Sequence, residues 1–444
     1  MSNQAKFKAG MYLLETLTSG MYNEPLSIYR EYIQNAVDSI DQAAPVGKDG
    51  LVIDITLDPF QKTIVIFDNG EGIPTAQAEK TLSSIGSSEK IGTRQRGFRG
   101  IGRLGGVAFA EKAIFRTKAK GESAESIQEW DCKTLRSLLA DPARAAMTIE
   151  EVFEKVTSFR QEKSGARKNE SFFEVTLAGV KSFRNHIFDI AKIKEYLGQV
   201  APLPFDFENF SFASAVNQFL SESLDNYAEY NIRLNGNPVF RPYSDFVKVT
   251  NKGNDDVIEG IELLRFEVNG SPIAFGWYGK RKELLGAISK GMGVGGVRVK
   301  AGNITIGDEH LLDKCFRENR FNSYIIGEIH VQSPELIPNS RRDDFIDNDM
   351  KNLFYNVLER ELGLPLSKEV RQRSRLGKDV LTEKTTVAAV PTSVKEAGRN
   401  EMMMTENPSV SASKTENFIM QAILSRCKTC RHLEQILQDA RAGG

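Results

Sequence analysis

Cysteine is scarce, at four in 444 residues, which excludes the disulfide framework that staples small secreted domains. Histidine is equally rare: His186, His310, His330 and His432 are the whole set, and they fall into neither an HExxH pattern nor a nucleophile-base order. No GxxxxGK[ST] loop occurs, which removes P-loop phosphate binding. No apolar run approaches the roughly 20 residues that span a bilayer, and the start, MSNQAKFKAGMYLLETLTSG, lacks the apolar stretch of a signal peptide. A cytoplasmic chain with no membrane partner is therefore expected. An excess of one charge is missing too: 58 basic residues against 59 acidic ones leave a net charge of −1, so no global field draws the protein to nucleic acid and any basic surface must be local.

What is present reads as several units. From the start to residue 204, helix and strand patterns alternate. Ile28, Tyr32, Ile33, Val37 and Ile40 recur at the three-to-four spacing of a helix with one buried face. Strand candidates follow at 51–57 and 63–67, the second running directly into Asp68-Asn69-Gly70-Glu71-Gly72, then further strands around 113–117 and 172–177. A second α/β unit is expected over 205–382, with strand candidates at 231–234, 263–268, 296–299 and 324–331. Residues 383–416, poor in large apolar side chains, read as a flexible linker that cannot repay the entropy of ordering. The last stretch, 417–444, places Ile419, Ile423, Cys427, Cys430, Leu433 and Leu437 on one stripe of an amphipathic helix. Cys427-x-x-Cys430 with His432 is only half of a zinc site; both cysteines lie on the apolar stripe, so packing is favoured over a zinc site completed by a second subunit or redox chemistry.

Three patches carry candidate chemistry. Glu31, Asn35 and Asp38 are four and three residues apart, so a helix brings them to one face, at the margin of its apolar stripe; the alternative is a solvated acidic face. Asp68-x-Gly70-x-Gly72 puts a carboxylate at a strand end, able to accept from an amino group, with glycines that let a ligand approach the backbone; a plain turn would look similar. The segment from Gly97 to Gly106, with Gly100, Gly102, Gly105 and Gly106, could form an anion-binding nest among Arg94, Arg96, Arg99 and Arg103. Two stretches, Gly100-x-Gly102-x-x-Gly105 and Gly291-x-Gly293-x-x-Gly296, formally fit a dinucleotide fingerprint, but neither has the strand-then-helix context that fingerprint requires.

In that order and spacing the sequence resembles the GHKL ATPase superfamily of gyrase, heat-shock chaperones, histidine kinases and MutL. YREYIQNAVDSID, IFDNGEGIP and RGIGRLGGVAF are similar to the catalytic helix, adenine turn and phosphate lid of the ninety-kilodalton heat-shock chaperones. The resemblance covers about Tyr12 to Thr117, and it departs where Gly102 and Gly105 are followed by Gly106 and Val107. It implies an α/β two-layer sandwich of the GHKL (Bergerat) type, a second α/β middle domain and a short C-terminal helix. It further implies ATP as ligand, Mg²⁺ on Asn35, Asp68 on the adenine amino group, Glu31 as general base, and Asp38 and Thr117 as supports of the adenine pocket. The later text IGEIHVQSPELIPNSRRDDF resembles the middle-domain segment whose arginine reaches the terminal phosphate, which makes Arg341 or Arg342 that residue; a surface turn of paired charges is the alternative. The expected function is a slow Mg-dependent ATPase that works as a dimeric clamp on a protein client. The alternative is a MutL- or MORC-like clamp on nucleic acid, for which Arg371-Gln372-Arg373-Ser374-Arg375 offers a local basic patch. A histidine kinase is disfavoured by the lack of a dimerisation-helix histidine with an acidic neighbour.

Overall fold

A computed structural model describes residues 9–20, 24–44, 49–86, 102–181, 186–225, 227–250 and 255–387, with the backbone alone for 19–20 and 376–387. Gly100, Arg94, Arg96, Arg99 and the expected C-terminal helix with Cys427, Cys430 and His432 lie outside the described residues. The expected linker does so from residue 388.

The first layer is an eight-stranded sheet of β1 (Ile53–Asp58), β2 (Thr63–Asp68), β3 (Lys112–Lys118), β4 (Ala124–Asp131), β5 (Thr157–Lys163), β6 (Phe172–Ala178), β7 (Ile232–Leu234) and β8 (Asn237–Pro238). Their spatial order is β5-β4-β3-β6-β2-β1-β7-β8. Every pairing is antiparallel except that of β1 with β7. The sheet thus draws two strands from beyond residue 204: the strand expected at 231–234 as part of the second unit lies beside β1. On β1 and β2 the alternating residues Ile53, Ile55, Leu57, Ile64 and Ile66 are buried, the period-2 signature of a sheet with one covered face.

That face is covered by helices. In chain order these are a short α1 (Tyr12–Glu15), α2 (Ser27–Ala43), α3 (Thr75–Ser83), α4 (Cys132–Leu139), α5 (Ile149–Val156) and α6 (Ile190–Val200), followed by α7 (Ala213–Ser223), α8 (Asp349–Leu358) and α9 (Leu364–Val387) of the second layer. Ile28, Tyr29, Tyr32, Ile33, Ala36, Val37 and Ile40 of α2 are all buried in one core with the inward residues of β1 and β2. The apolar stripe seen in the sequence is the surface that seats α2 on the sheet.

The second sheet comprises β9 (Phe246–Lys248), β10 (Asp255–Val268), β11 (Ser271–Arg281), β12 (Gly296–Ala301), β13 (Ile304–Ile306) and β14 (Ile326–Val331), in the order β13-β12-β14-β11-β10-β9. One core unites Phe266, Ile329 and Val299 with Phe354, Leu358 and Leu366 of α8 and α9, and another unites Trp277 and Phe275 with Val216 and Leu220 of α7. Helix α9 continues to Val387, past the linker start expected at 383.

The two sheets meet at the carboxyl end of α6. Thr305 Oγ1 donates to the Gln199 carbonyl at 2.6 Å, and Arg241 Nε donates to the Leu203 carbonyl at 2.7 Å. Gly291-x-Gly293-x-x-Gly296 belongs to this joint: Arg298 donates to the carbonyls of Gly293, Gly295 and Gly296 and to Gln199 Oε1. The glycines there serve a turn, with Gly293 at φ +64° against Gln199 and Glu195.

Candidate nucleotide-binding site

Strand periodicity puts a carboxylate inside. Residues 64, 66 and 68 of β2 point to the same face, and Asp68, opposite Ile53 in the register, continues the inward series as its last member. It is 3% exposed. Burial pushes its carboxyl up to about 7, against the pull of the Ser39 hydroxyl and the Gly70 amide, because the ionised form loses its hydration. The Gly70 N–H donates to Asp68 Oδ1 at 3.1 Å.

The turn that follows lies against α2. The Glu71 N–H donates to the Ser39 carbonyl at 3.1 Å, and a Cβ on Gly70 would collide with Ser39 and Ile40. Gly72, at φ +68°, meets the Lys118 carbonyl, where a side chain would have no room. The ends of β3 and β6 hold the turn from the other side. The Ile73 N–H donates to Thr117 Oγ1 at 2.8 Å, and that hydroxyl donates to the Phe172 carbonyl at 3.1 Å. The Ser171 hydroxyl donates to the Gly70 carbonyl at 2.6 Å. Thr117, buried on β3, is therefore brought to the turn that follows Asp68. Ser171 was not foreseen, since nothing in a single serine before a strand announces which loop it will touch.

On α2, Asp38 is buried, while Glu31 and Asn35 are half-buried. Glu31 stands next to Arg30, whose Nη2 lies 3.5 Å from Glu31 Oε1 and donates to the Arg341 carbonyl at 3.1 Å. The turn 339–342 of the second layer is thereby seated beside Glu31. Arg341 is exposed on this turn, whereas Arg342 is buried with φ +57°. Arg342 serves the backbone there: its N–H donates to the Asn339 carbonyl at 3.2 Å, and its carbonyl accepts from Gly307 at 2.7 Å.

Of the glycine-rich segment, residues 102–108 form a 3-10 turn against α2. A Cβ on Gly102 would stand 2.8 Å from Glu31 Oε2, and one on Gly106 would strike the Tyr32 hydroxyl and Leu177. Gly105 and Gly106 are buried, so Gly106 is explained by close packing on α2, while Gly102 faces the carboxylate. Arg103 is not an open cation: its guanidinium donates to the Thr81 carbonyl at 2.7 Å and to the Ser84 carbonyl, and burial lowers its pKa to about 10.

Residues 25–165 match the family described as "Histidine kinase-, DNA gyrase B-, and HSP90-like ATPase". The chain is similar to the chaperone protein HtpG of Halalkalibacterium halodurans, with 27% identity over 28% of this chain and 23% of that protein. It is also similar to HtpG of Chlorobium phaeobacteroides, 35% identical over 20% of this chain and 16% of the relative, and to HtpG of Serratia proteamaculans, 29% over 27% and 22%. The matched stretch spans about a fifth of the length of these relatives. The α2 face, the Asp68 turn, Gly102 and Thr117 all fall inside residues 25–165, the segment that is similar to the histidine kinase-, DNA gyrase B- and HSP90-like (GHKL) ATPase family.

Proposed function

We propose that this chain binds ATP between α2 and the 68–72 turn and hydrolyses it slowly, in the cytoplasm, to drive a chaperone-like dimeric clamp on a protein client. The observation that carries the reading is the buried carboxylate of Asp68 at the end of an inward strand series, with glycines that clear the backbone beside it and the Glu31, Asn35 and Asp38 face of α2 next to it. Asp68 would accept from the adenine amino group, with Gly70 and Gly72 admitting the base and Asp38 and Thr117 bracing the pocket.

The phosphates would then point along α2 toward Asn35, Glu31 and Gly102. Among the described residues no group of three His, Cys, Asp or Glu side chains could hold a metal. Asn35 is the residue that would hold a magnesium ion, by its neutral amide oxygen. When bound, such an ion neutralises phosphate charge. Glu31 would orient and deprotonate the attacking water. Of the two arginines, Arg341 is the better partner for the terminal phosphate: it is exposed on a turn that touches Arg30, whereas Arg342 is buried and its backbone closes the turn. A cation supplied from the second layer would couple turnover to the arrangement of the layers.

The test is phosphate release from Mg-ATP by the wild type and Glu31→Ala, with ATP binding measured on both. The expected result is turnover reduced by at least about 100-fold with binding retained, the scale of a lost general base. Equal turnover in the two proteins would remove Glu31 from the role. The nucleic-acid alternative has less support, since Arg371 is engaged by Glu318 at 3.0 Å. DNA binding that falls steeply with salt would revive it.

A further inference from the structure

Tyr32 sits in the apolar series of α2, is 2% exposed, and its ring packs in the first core. Its hydroxyl does something the core does not require. It donates to the Arg103 carbonyl at 3.0 Å and accepts from the Gly106 N–H at 3.0 Å. One phenol oxygen therefore spans the ends of the stretch Arg103-Leu104-Gly105-Gly106 and ties it to the residue after Glu31. The same stretch is held on its far side by the Arg103 guanidinium, which satisfies the Thr81 and Ser84 carbonyls at the end of α3. Those carbonyls have no further helical turn to accept from. Between the two anchors, Gly102 is left against Glu31 Oε2.

We infer that Tyr32 is a positioning residue for the phosphate end of the site: its hydroxyl sets the height of the 102–106 backbone over Glu31. This rests on the nucleotide reading above. A phenylalanine at position 32 would fill the core equally well, and loss of the hydroxyl leaves one buried N–H and one half-buried carbonyl without that partner. The adenine end is held separately, by Ser39, Thr117 and Ser171. Loss of the bridge should therefore weaken recognition of phosphates and leave recognition of the nucleoside intact.

The experiment compares the full-length wild type with Tyr32→Phe in two measurements. Hydrogen exchange without nucleotide should show faster exchange across 102–108 in the variant, with β1 and β2 unchanged. Titration should show affinity for a nonhydrolysable ATP analogue lowered about tenfold, the worth of one or two hydrogen bonds, while adenosine affinity moves less than twofold. Arg103→Gln should act in the same direction, and the double variant should lose less than the sum, because both side chains hold one stretch. Unchanged exchange at 102–108 overturns the inference. So does an equal loss for adenosine and the ATP analogue, which is what a general loosening of α2 would give. If the wild type binds neither ligand, the nucleotide reading falls and the phosphate role of Tyr32 falls with it, whereas the bridge itself stands or falls on exchange alone.

Discussion

Asp68 combines two demands that oppose each other. A strand that alternates strictly must place its sixth residue where its second and fourth went, and here that place is the core, so the carboxyl is pushed from 3.8 up to about 7 by lost hydration. Folding therefore favours the protonated form. The stabilising contribution of this proton is complete below about pH 4 and is lost as pH rises through about 7. The proposed adenine recognition would run the other way, because an ionised carboxylate is the stronger acceptor. Between pH 5 and 8 the nucleotide-free protein should therefore lose stability as pH rises while nucleotide affinity increases, and Asp68→Asn should flatten both trends. Melting curves and nucleotide titrations over that range check it; parallel slopes, or an unchanged profile in Asp68→Asn, would assign the pH dependence elsewhere. The strand-end place of Asp68 was legible in advance, but its burial was not, since a plain turn after a strand would have read the same way. Tyr32 was not, because its ring belongs to the helical stripe and only its hydroxyl partners distinguish it from any core aromatic.

At the scale of elements, α2, β1, β2, β3 and β6 stand close to where periodicity put them, because one covered face leaves a repeat of 3.6 or 2 that the chain itself records. Among the elements that escaped detection, β5, with most of its residues exposed, and β11, buried almost throughout, lack a clean repeat and read the same on both faces. The junction of the layers was hidden for another reason. Arg241 is fully buried and bonded to Glu328, to Tyr227 at 3.2 Å and to Asn303 at 3.0 Å, with Lys300 3.1 Å from the same Glu328. These residues come from separate strands and turns, and only burial makes their pairing obligatory. Burial lowers the Lys300 pKa to about 8 and that of His330 to about 4, so His330 stays neutral beside Arg241. Arg241→Ala should destabilise the protein by about 3–5 kcal/mol, since it strips the main partner from a buried carboxylate. Arg160→Ala, which removes an exposed pair with Glu129, should change stability by less than about 1 kcal/mol. Denaturant midpoints distinguish the two, and comparable losses would mean that the Arg241 cluster does not hold the joint.

Across the described residues, the candidate site draws on both layers where the Arg30 side chain donates to the Arg341 carbonyl. No helix among the described residues is long and apolar enough to cross a membrane. The proposed clamp adds a demand that one chain cannot meet, namely a second copy. Light scattering with and without a nonhydrolysable ATP analogue should show mass rising toward twice the 49.5 kDa of the chain when the analogue is present; a monomer in both states would end the clamp. By itself the sequence determined the helical stripe that seats α2, the common face of Glu31, Asn35 and Asp38, and the place of Asp68 at a strand end, because each follows from a repeat only a few residues long. Only the tertiary structure decided that β7 completes the first sheet, that Gly106 is a packing glycine under Tyr32, and that Arg341 rather than Arg342 is exposed beside Glu31. Those are meetings of surfaces from distant parts of the chain, and which surfaces meet is set by the joint burial of two cores rather than by any local pattern.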